Sequence, residues 1–136
     1  MKKSAKIIIA ILIVIIGLAV IFIAVNNKND SMDDNISSQT QITINVFDKE
    51  NTEIYNKNIE TEEIYLSEVL DDLEDLDVIM EDSDYGKYIT SILGIAEGDN
   101  YYWSYYINDK YASVGVSNCE IEENVVYSFR IEYYEY

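Results

Sequence analysis

Tyrosine is the side chain with the clearest chemical potential in this sequence of 136 residues. The chain holds 13 tyrosines, and nine of them lie between Tyr101 and Tyr136, close to the single tryptophan, Trp103. Aromatic rings of this kind stack on flat ligands, on sugars or on partner proteins, and they lose little conformational entropy in doing so. The alternative interpretation is that tyrosine suits a half-buried strand face.

Groups suited to catalysis are scarce by comparison. The chain has no histidine, which excludes Ser-His catalysis, Cys-His catalysis and histidine-based metal sites. Two acidic pairs, at positions 71–72 and 122–123, have the residue types of a glycosidase pair, but nothing in the sequence places either pair in a cleft. The acidic run at positions 81–84 lacks the spacing of a calcium loop and is interpreted as a solvated loop. We therefore expect no enzymatic activity, no catalytic residue and no metal site.

The charge balance excludes a further class of partner. There are 26 acidic and nine basic residues, which gives a net charge of −17. Binding to nucleic acid depends on clustered basic side chains, so we expect no nucleic-acid partner. The only cysteine, Cys119, is interpreted as a small buried apolar residue, with an intermolecular disulfide as the alternative. No covalently bound cofactor is expected.

The first 40 residues predict attachment to a membrane. Residues 7–25 form an apolar run that would be about 28 Å long as a helix, close to the thickness of a bilayer core. Three lysines precede this run, so the positive-inside rule keeps residues 1–6 in the cytoplasm and sends the rest outside. We predict a single-pass anchor in the cell membrane that contacts lipid, with a cleaved signal peptide as the alternative. Residues 26–40 are polar and aperiodic, which predicts a flexible stalk leading to an extracellular domain at 41–136.

The pattern of apolar residues in this domain predicts strands around one helix. Residues 42–46 alternate as in a strand, and 52–60 are interpreted as a second strand. The spacing of apolar residues from Leu66 to Leu73 predicts a short amphipathic helix. The predicted fold class is therefore α+β: a small, mostly antiparallel β-sheet domain with one short helix, preceded by a single N-terminal transmembrane helix.

The later part of the domain predicts further strands. Residues 85–96 are interpreted as a further strand region that Gly94 interrupts, with a bulge or bend at that position. Residues 101–107 and 110–116 flank Asn108-Asp109, a pair typical of a tight hairpin turn, and 125–134 alternate strongly as a final strand.

Alternation along the first hairpin strand separates its aromatic side chains onto two faces. Trp103 shares its face with the apolar set of the final strand, which favours a core position over a ligand contact. Tyr102, Tyr106 and Tyr134 are better candidates for an exposed aromatic face, and Asn108 is a candidate at the hairpin tip, although a turn role is favoured. The candidate ligand-binding residues are Tyr102, Trp103, Tyr106, Asn108, Tyr111 and Tyr134.

Three segments, Tyr85–Ile95, Tyr101–Val116 and Val125–Tyr134, resemble the transcobalamin-like C-terminal domain family of bacterial surface proteins. The resemblance covers about residues 41–136 and departs from the family pattern in two turns, where Asp109 replaces a usual glycine and 122–124 lacks one. It implies a compact β-rich domain similar to the one that helps enclose the corrinoid in animal cobalamin carriers. Cobalamin is thus a candidate ligand. The features that carry the resemblance are Tyr102-Trp103, Tyr105-Tyr106, Asn108-Asp109, Tyr111-Ala112, Gly115-Val116 and the turn at 122–124.

These expectations combine into one function and one alternative. We expect a membrane-anchored, extracytoplasmic, non-catalytic binding module whose small-molecule ligand meets residues 101–116. A single domain of this size should bind a large ligand weakly, because one surface cannot remove most of that ligand from water. The alternative is a structural or accessory subunit of a transporter or surface assembly that uses its aromatic face to contact another protein.

Overall fold

The computed structural model describes residues 38–136. The predicted cytoplasmic tail, the membrane anchor and most of the predicted stalk therefore lie outside the described residues. Among the residues that are described, no helix is both long enough and apolar enough to cross a membrane.

Two β-sheets and one α-helix make up the described part of the chain. The larger sheet has five strands in the order β2-β1-β8-β6-β7, and the smaller has three in the order β3-β4-β5 when the strands are numbered along the chain. In chain order the elements are β1 (Thr40–Phe47), β2 (Glu53–Thr61), α1 (Leu66–Asp72), a 3₁₀ turn (Glu74–Leu76), β3 (Ile79–Glu81), β4 (Tyr88–Ile92), β5 (Ile95–Ala96), β6 (Tyr101–Ile107), β7 (Lys110–Tyr111), a second 3₁₀ turn (Val116–Asn118) and β8 (Val125–Tyr133).

The centre of the larger sheet consists of the two strands with the strongest alternation in the sequence. On β1 the side chains of Ile42, Ile44 and Val46 are buried, and on β8 those of Tyr127 and Phe129 are buried. β1 and β8 run parallel, whereas every other neighbouring pair in both sheets is antiparallel. The first and last strands of the domain thus lie side by side, and their inward side chains form the middle of the core.

The predicted helix is present and covers the inner face of this sheet. α1 buries Leu66, Val69 and Leu70, which belong to the same core cluster as the β1 and β8 side chains. The Glu68 carboxylate accepts the main-chain N–H of Tyr65 at 3.0 Å, which satisfies a donor that the first helical turn leaves free. The N–H of Leu66 donates to the carbonyl of Cys119 at 2.9 Å, so the helix start is tied to the segment before β8.

The strand region predicted at residues 85–96 is present, but it is divided into two strands at Gly94, where the sequence indicates an interruption. The chain reverses at Leu93 and Gly94, which both have positive φ (52° and 75°), so β4 and β5 form a hairpin rather than one bent strand. Leucine rarely adopts a positive φ, so the sequence pattern gives no sign of a turn at this residue. The short strand β3, which pairs with β4, was not predicted.

The hairpin at residues 101–116 is correct at its turn but too long in its second strand. Asn108 and Asp109 form the two-residue connection with φ of 46° and 64°, as the residue pair predicts. β7 ends at Tyr111, and residues 112–115 leave the sheet before the 3₁₀ turn that begins at Val116. The coarse fold class is confirmed within residues 38–136: a small α+β domain, mostly antiparallel, with one α-helix.

Candidate ligand-binding groove

A groove lies where the second hairpin strand leaves the larger sheet. Its volume is about 460 Å³, within the range of small-molecule sites. One wall is the segment from Ser83 to Ile89, the other is the segment from Tyr111 to Val116, and β6 lies between them. The aromatic residues that line it are Tyr85, Tyr88, Trp103, Tyr105 and Tyr111.

The two walls are joined to each other by main-chain hydrogen bonds. The N–H of Gly115 donates to the carbonyl of Tyr85 at 3.1 Å, and the N–H of Val116 donates to the carbonyl of Lys87 at 2.9 Å. Gly115 permits this approach, because a Cβ atom there would lie 2.7 Å from the Lys87 carbonyl oxygen. The wall at 112–116 therefore belongs to the Tyr85–Lys87 segment rather than to the sheet, which opens the space beside β6.

Trp103 is both a core residue and part of the groove. Its side chain is 9% exposed, in agreement with the core position that alternation favours. The indole Nε1–H donates to the carbonyl of Ile95 at 2.9 Å, which fixes the ring against β5. The remaining exposed part of this residue lies in the groove.

Tyr111 is the candidate residue that the structure places at the rim of the groove. It is 62% exposed, and its ring meets that of Tyr106, its cross-strand partner, edge-on with centroids 5.8 Å apart, so Tyr111 borders both the groove and the outer face of the sheet. Tyr85, which is 81% exposed, and Tyr88 line the opposite wall, and neither was among the residues predicted from the sequence. They come from the loop before β4 and from β4 itself, so the long-range hydrogen bonds of Gly115 and Val116 to Tyr85 and Lys87 bring them to the site.

The charge of the groove contrasts with that of the domain. Residues 38–136 contain 23 acidic and five basic side chains, a net charge of −18. The groove lining holds one charged residue, Lys87, and no carboxylate. A neutral, partly apolar ligand can therefore enter the groove without desolvating a lining carboxylate.

The candidates Tyr102, Tyr106 and Tyr134 lie outside the groove, on the opposite face of the five-stranded sheet. The hydroxyls of Tyr102 and Tyr106 donate to the Glu132 carboxylate at 3.2 and 2.6 Å, and Ser104 donates to the same group at 2.8 Å. Burial raises the pKa of Tyr102, and the hydrogen bond to Glu132 raises the pKa of Tyr106. Tyr134 packs on Tyr102 with ring centroids 5.5 Å apart. The rings of Tyr102, Tyr106 and Tyr134 form a half-buried layer beside the Glu132 carboxylate. We call these three rings the outer aromatic layer.

Arg130, the only arginine of the chain, lies within the outer aromatic layer. Its guanidinium carbon is 4.7 Å from the ring centre of Phe47 and 5.1 Å from that of Tyr106, both within cation–π range. Its Nε is buried and has no hydrogen-bond partner among the described residues.

The candidate Asn108 serves the hairpin turn. Its side-chain Oδ1 accepts the main-chain N–H of Val126 at 2.9 Å, and its own N–H donates to the Val126 carbonyl at 2.9 Å. Both bonds join the turn to β8, so the side chain is engaged by the protein itself.

The only cysteine of the chain is buried. Cys119 is 5% exposed, and burial raises the pKa of its thiol, which keeps it in the unreactive neutral form. Within residues 38–136, no group of three or more Asp, Glu, Cys or His side chains is placed to hold a metal ion.

Comparison with known proteins identifies a family match and two similar structures. The model of a domain of unknown function, DUF4430, matches residues 65–127, which include α1, the groove and the β6–β7 hairpin. A protein from Ruminococcus gnavus to which metal binding has been ascribed, solved at 1.30 Å, has a TM-score of 0.64 at 21% identity and covers 71% of this chain and 99% of its own. No curated protein matches the chain.

The second similar structure is haptocorrin in complex with Cbi. It has a TM-score of 0.58 at 23% identity and covers 76% of this chain. The matched part is 27% of the haptocorrin chain, so the similarity concerns one portion of that protein. At these identities the comparison establishes the fold alone. The described part of this chain therefore has a transcobalamin-like fold.

Proposed function

We propose that this chain is a membrane-anchored, extracytoplasmic binding module that holds a small molecule in the groove beside β6 without reacting on it. The observation that carries the proposal is the composition of the groove: five aromatic residues and no carboxylate, in a domain of net charge −18. Such a lining binds flat, partly apolar, neutral surfaces. A corrinoid is the lead candidate ligand, since a structure of the same fold, haptocorrin, is in complex with Cbi.

The size of the groove predicts the strength of binding. A volume of about 460 Å³ encloses one part of a corrinoid and leaves the rest in solvent. We therefore expect a Kd on the order of 10 μM to 1 mM rather than the tight binding of a carrier that surrounds its ligand. Membrane attachment through residues 7–25 would keep such a weak binding site at the cell surface.

Fluorescence of Trp103 tests this proposal, because it is the only tryptophan and lies in the groove. The full chain in mild detergent is titrated with cobinamide and with cobalamin, and absorption by the corrinoid is corrected with free tryptophan in the same detergent. Saturable quenching is the expected result. The proposal of a corrinoid ligand fails if no saturable change occurs up to about 1 mM ligand.

Two matched variants connect the signal to the groove. Tyr85→Ala removes an exposed groove ring, whereas Tyr136→Ala removes an exposed ring that does not line the groove. We expect the first variant to weaken binding about fivefold, the loss of roughly 1 kcal/mol of aromatic contact, and the second to leave it unchanged. Equal effects of the two variants would place the ligand elsewhere.

The outer aromatic layer favours a second candidate function, that of an accessory subunit which contacts another protein. Arg130 forms no ion pair within residues 38–136, and aromatic and arginine side chains are the types enriched in protein interfaces. Crosslinking in cells through a photoreactive residue at position 134 tests it. Recovery of one specific membrane or surface protein supports this function. If the same protein is captured in equal amount when Arg130 is replaced by alanine, the function is contradicted.

A further inference from the structure

The hydrogen-bond register of β6 leaves one residue without a partner at the edge that faces the groove. The N–H of Asn108 donates to Val126, and the N–H of Tyr134 donates to the carbonyl of Asn100, so even-numbered residues of β6 direct their main-chain groups toward β8. Antiparallel ladders alternate, so the odd-numbered residues Tyr101, Trp103 and Tyr105 direct theirs toward the opposite edge.

On that edge Tyr101 is engaged through both of its main-chain groups, and Tyr105 is engaged through its carbonyl. Tyr101 exchanges hydrogen bonds of 2.9 and 3.0 Å with Gly98, and the carbonyl of Tyr105 accepts the N–H of Ala112 at 3.0 Å. Continued hairpin register would bring Val114 opposite Trp103, since Tyr106 pairs with Tyr111. The Val114 carbonyl instead accepts the Tyr105 hydroxyl at 2.6 Å. Among residues 38–136, no main chain pairs with Trp103 on this edge.

An unpaired N–H and C=O of one extended residue form a specific recognition surface. The two groups point in the same direction, with the donor and the acceptor side by side. A carboxamide presents the complementary acceptor and donor, whereas a carboxylate or a ketone presents acceptors alone. Trp103 is the residue of this edge with both main-chain groups open, since Tyr101 pairs with Gly98 and the Tyr105 carbonyl accepts from Ala112, so the edge offers one adjacent donor and acceptor to a single amide.

We infer that the groove takes its ligand through an amide group, which accepts from the Trp103 N–H and donates to the Trp103 carbonyl while the ligand body contacts the aromatic walls. This inference rests on the proposed small-molecule function, and it restricts the ligands of the groove to neutral carboxamides. Corrinoids carry carboxamide groups around their ring, which agrees with the proposed candidate. Pairing at this site satisfies two main-chain groups that the fold leaves open.

Nuclear magnetic resonance on the ¹⁵N-labelled full chain in detergent micelles tests the inference with three probes of the same shape. Benzamide offers a donor and an acceptor, acetophenone offers an acceptor, and benzoate offers charged acceptors. We expect benzamide to shift the main-chain N–H signal of Trp103 downfield in a saturable manner and to bind at least fivefold more tightly than acetophenone or benzoate. The indole N–H signal of the same residue, which is bonded to Ile95, is the internal control and should shift less.

The possible results separate this inference from the corrinoid proposal. Equal affinities for the three probes, or groove signals that shift while the Trp103 main-chain N–H does not, overturn the inference even if cobinamide binds. Selective binding of benzamide supports the inference, and if cobinamide then fails to bind, the corrinoid is excluded as the ligand while amide recognition stands.

Discussion

The hydroxyl of Tyr105 donates a hydrogen bond of 2.6 Å to the main-chain carbonyl of Val114. This bond joins a buried side chain of β6 to the segment that has just left the sheet. In a longer β7 the Val114 carbonyl would accept a main-chain N–H of β6. Because it accepts the Tyr105 hydroxyl instead, β7 stays short, and the groove lies where β7 would otherwise continue.

Removal of this hydroxyl should destabilise the domain. The variant Tyr105→Phe leaves the Val114 carbonyl without its partner, at an expected cost of about 1–2 kcal/mol in the free energy of unfolding. Urea denaturation followed by circular dichroism measures the change. The control is Tyr101→Phe, whose hydroxyl makes no hydrogen bond among the described residues; an equal loss in both variants would contradict the role of the Tyr105 bond.

Gly115 should not tolerate a side chain. A Cβ atom at this position would lie 2.7 Å from the Lys87 carbonyl oxygen and 2.8 Å from that of Tyr85, so Gly115→Ala must separate the two groove walls. We expect a loss of roughly 1–3 kcal/mol, measured by thermal and urea unfolding. The neighbouring variant Ser113→Ala changes an exposed side chain and should stay within about 0.5 kcal/mol of the wild type. A fully stable Gly115→Ala variant would disprove the close approach of the walls.

Asp109→Gly should stabilise the hairpin. Asp109 has a φ of 64°, a left-handed conformation that costs a non-glycine residue free energy and suits glycine. The expected gain is about 0.5 kcal/mol, seen as a higher midpoint of urea unfolding. The companion variant Asn108→Gly also relieves a positive φ but loses the hydrogen bond from the Val126 N–H, so it should bring no gain. Stabilisation by Asn108→Gly and not by Asp109→Gly would contradict the turn as described.

Alkaline pH should destabilise the fold by ionising buried tyrosine hydroxyls and the buried cysteine thiol. Burial raises the pKa of Tyr105, Tyr127 and Cys119, whereas each titrates at its ordinary pKa in the unfolded chain. The pKa of each group is higher in the folded chain than in the unfolded chain. The stability that these groups contribute is therefore complete at a pH below their pKa in the unfolded chain, and it is lost as the pH rises through their pKa in the folded chain. We expect Tm to fall from about pH 9 upward, and Cys119→Ala to shift the onset to higher pH. A flat or rising Tm between pH 8 and 11 would contradict this.

The sequence predicted those features that depend on neighbouring residues. Alternation identified β1 and β8, apolar spacing identified α1, and the residues Asn108-Asp109 identified the hairpin turn. The parallel pairing of β1 with β8 depends on contact between the two ends of the domain, which no local pattern encodes.

The groove was predicted only in part for the same reason. Trp103 and Tyr111 were among the candidates, but the opposite wall comes from residues around Tyr85, joined through Gly115 by a contact thirty residues distant. The reversal at Leu93 was missed because leucine rarely has positive φ. Tyr102, Tyr106 and Tyr134 share a face as alternation predicts, yet their common partner, Glu132, was not identified.

A chemical-shift map of the ¹⁵N-labelled full chain titrated with cobinamide tests whether the groove beside β6 holds the ligand, because the map reports the position of the ligand as well as its binding. We predict that the signals of Lys87, Trp103 and Val114, which line the groove, shift in a saturable manner while those of Arg130 and Glu132 in the outer aromatic layer do not. Shifts confined to the outer layer, or none at about 1 mM ligand, would contradict it.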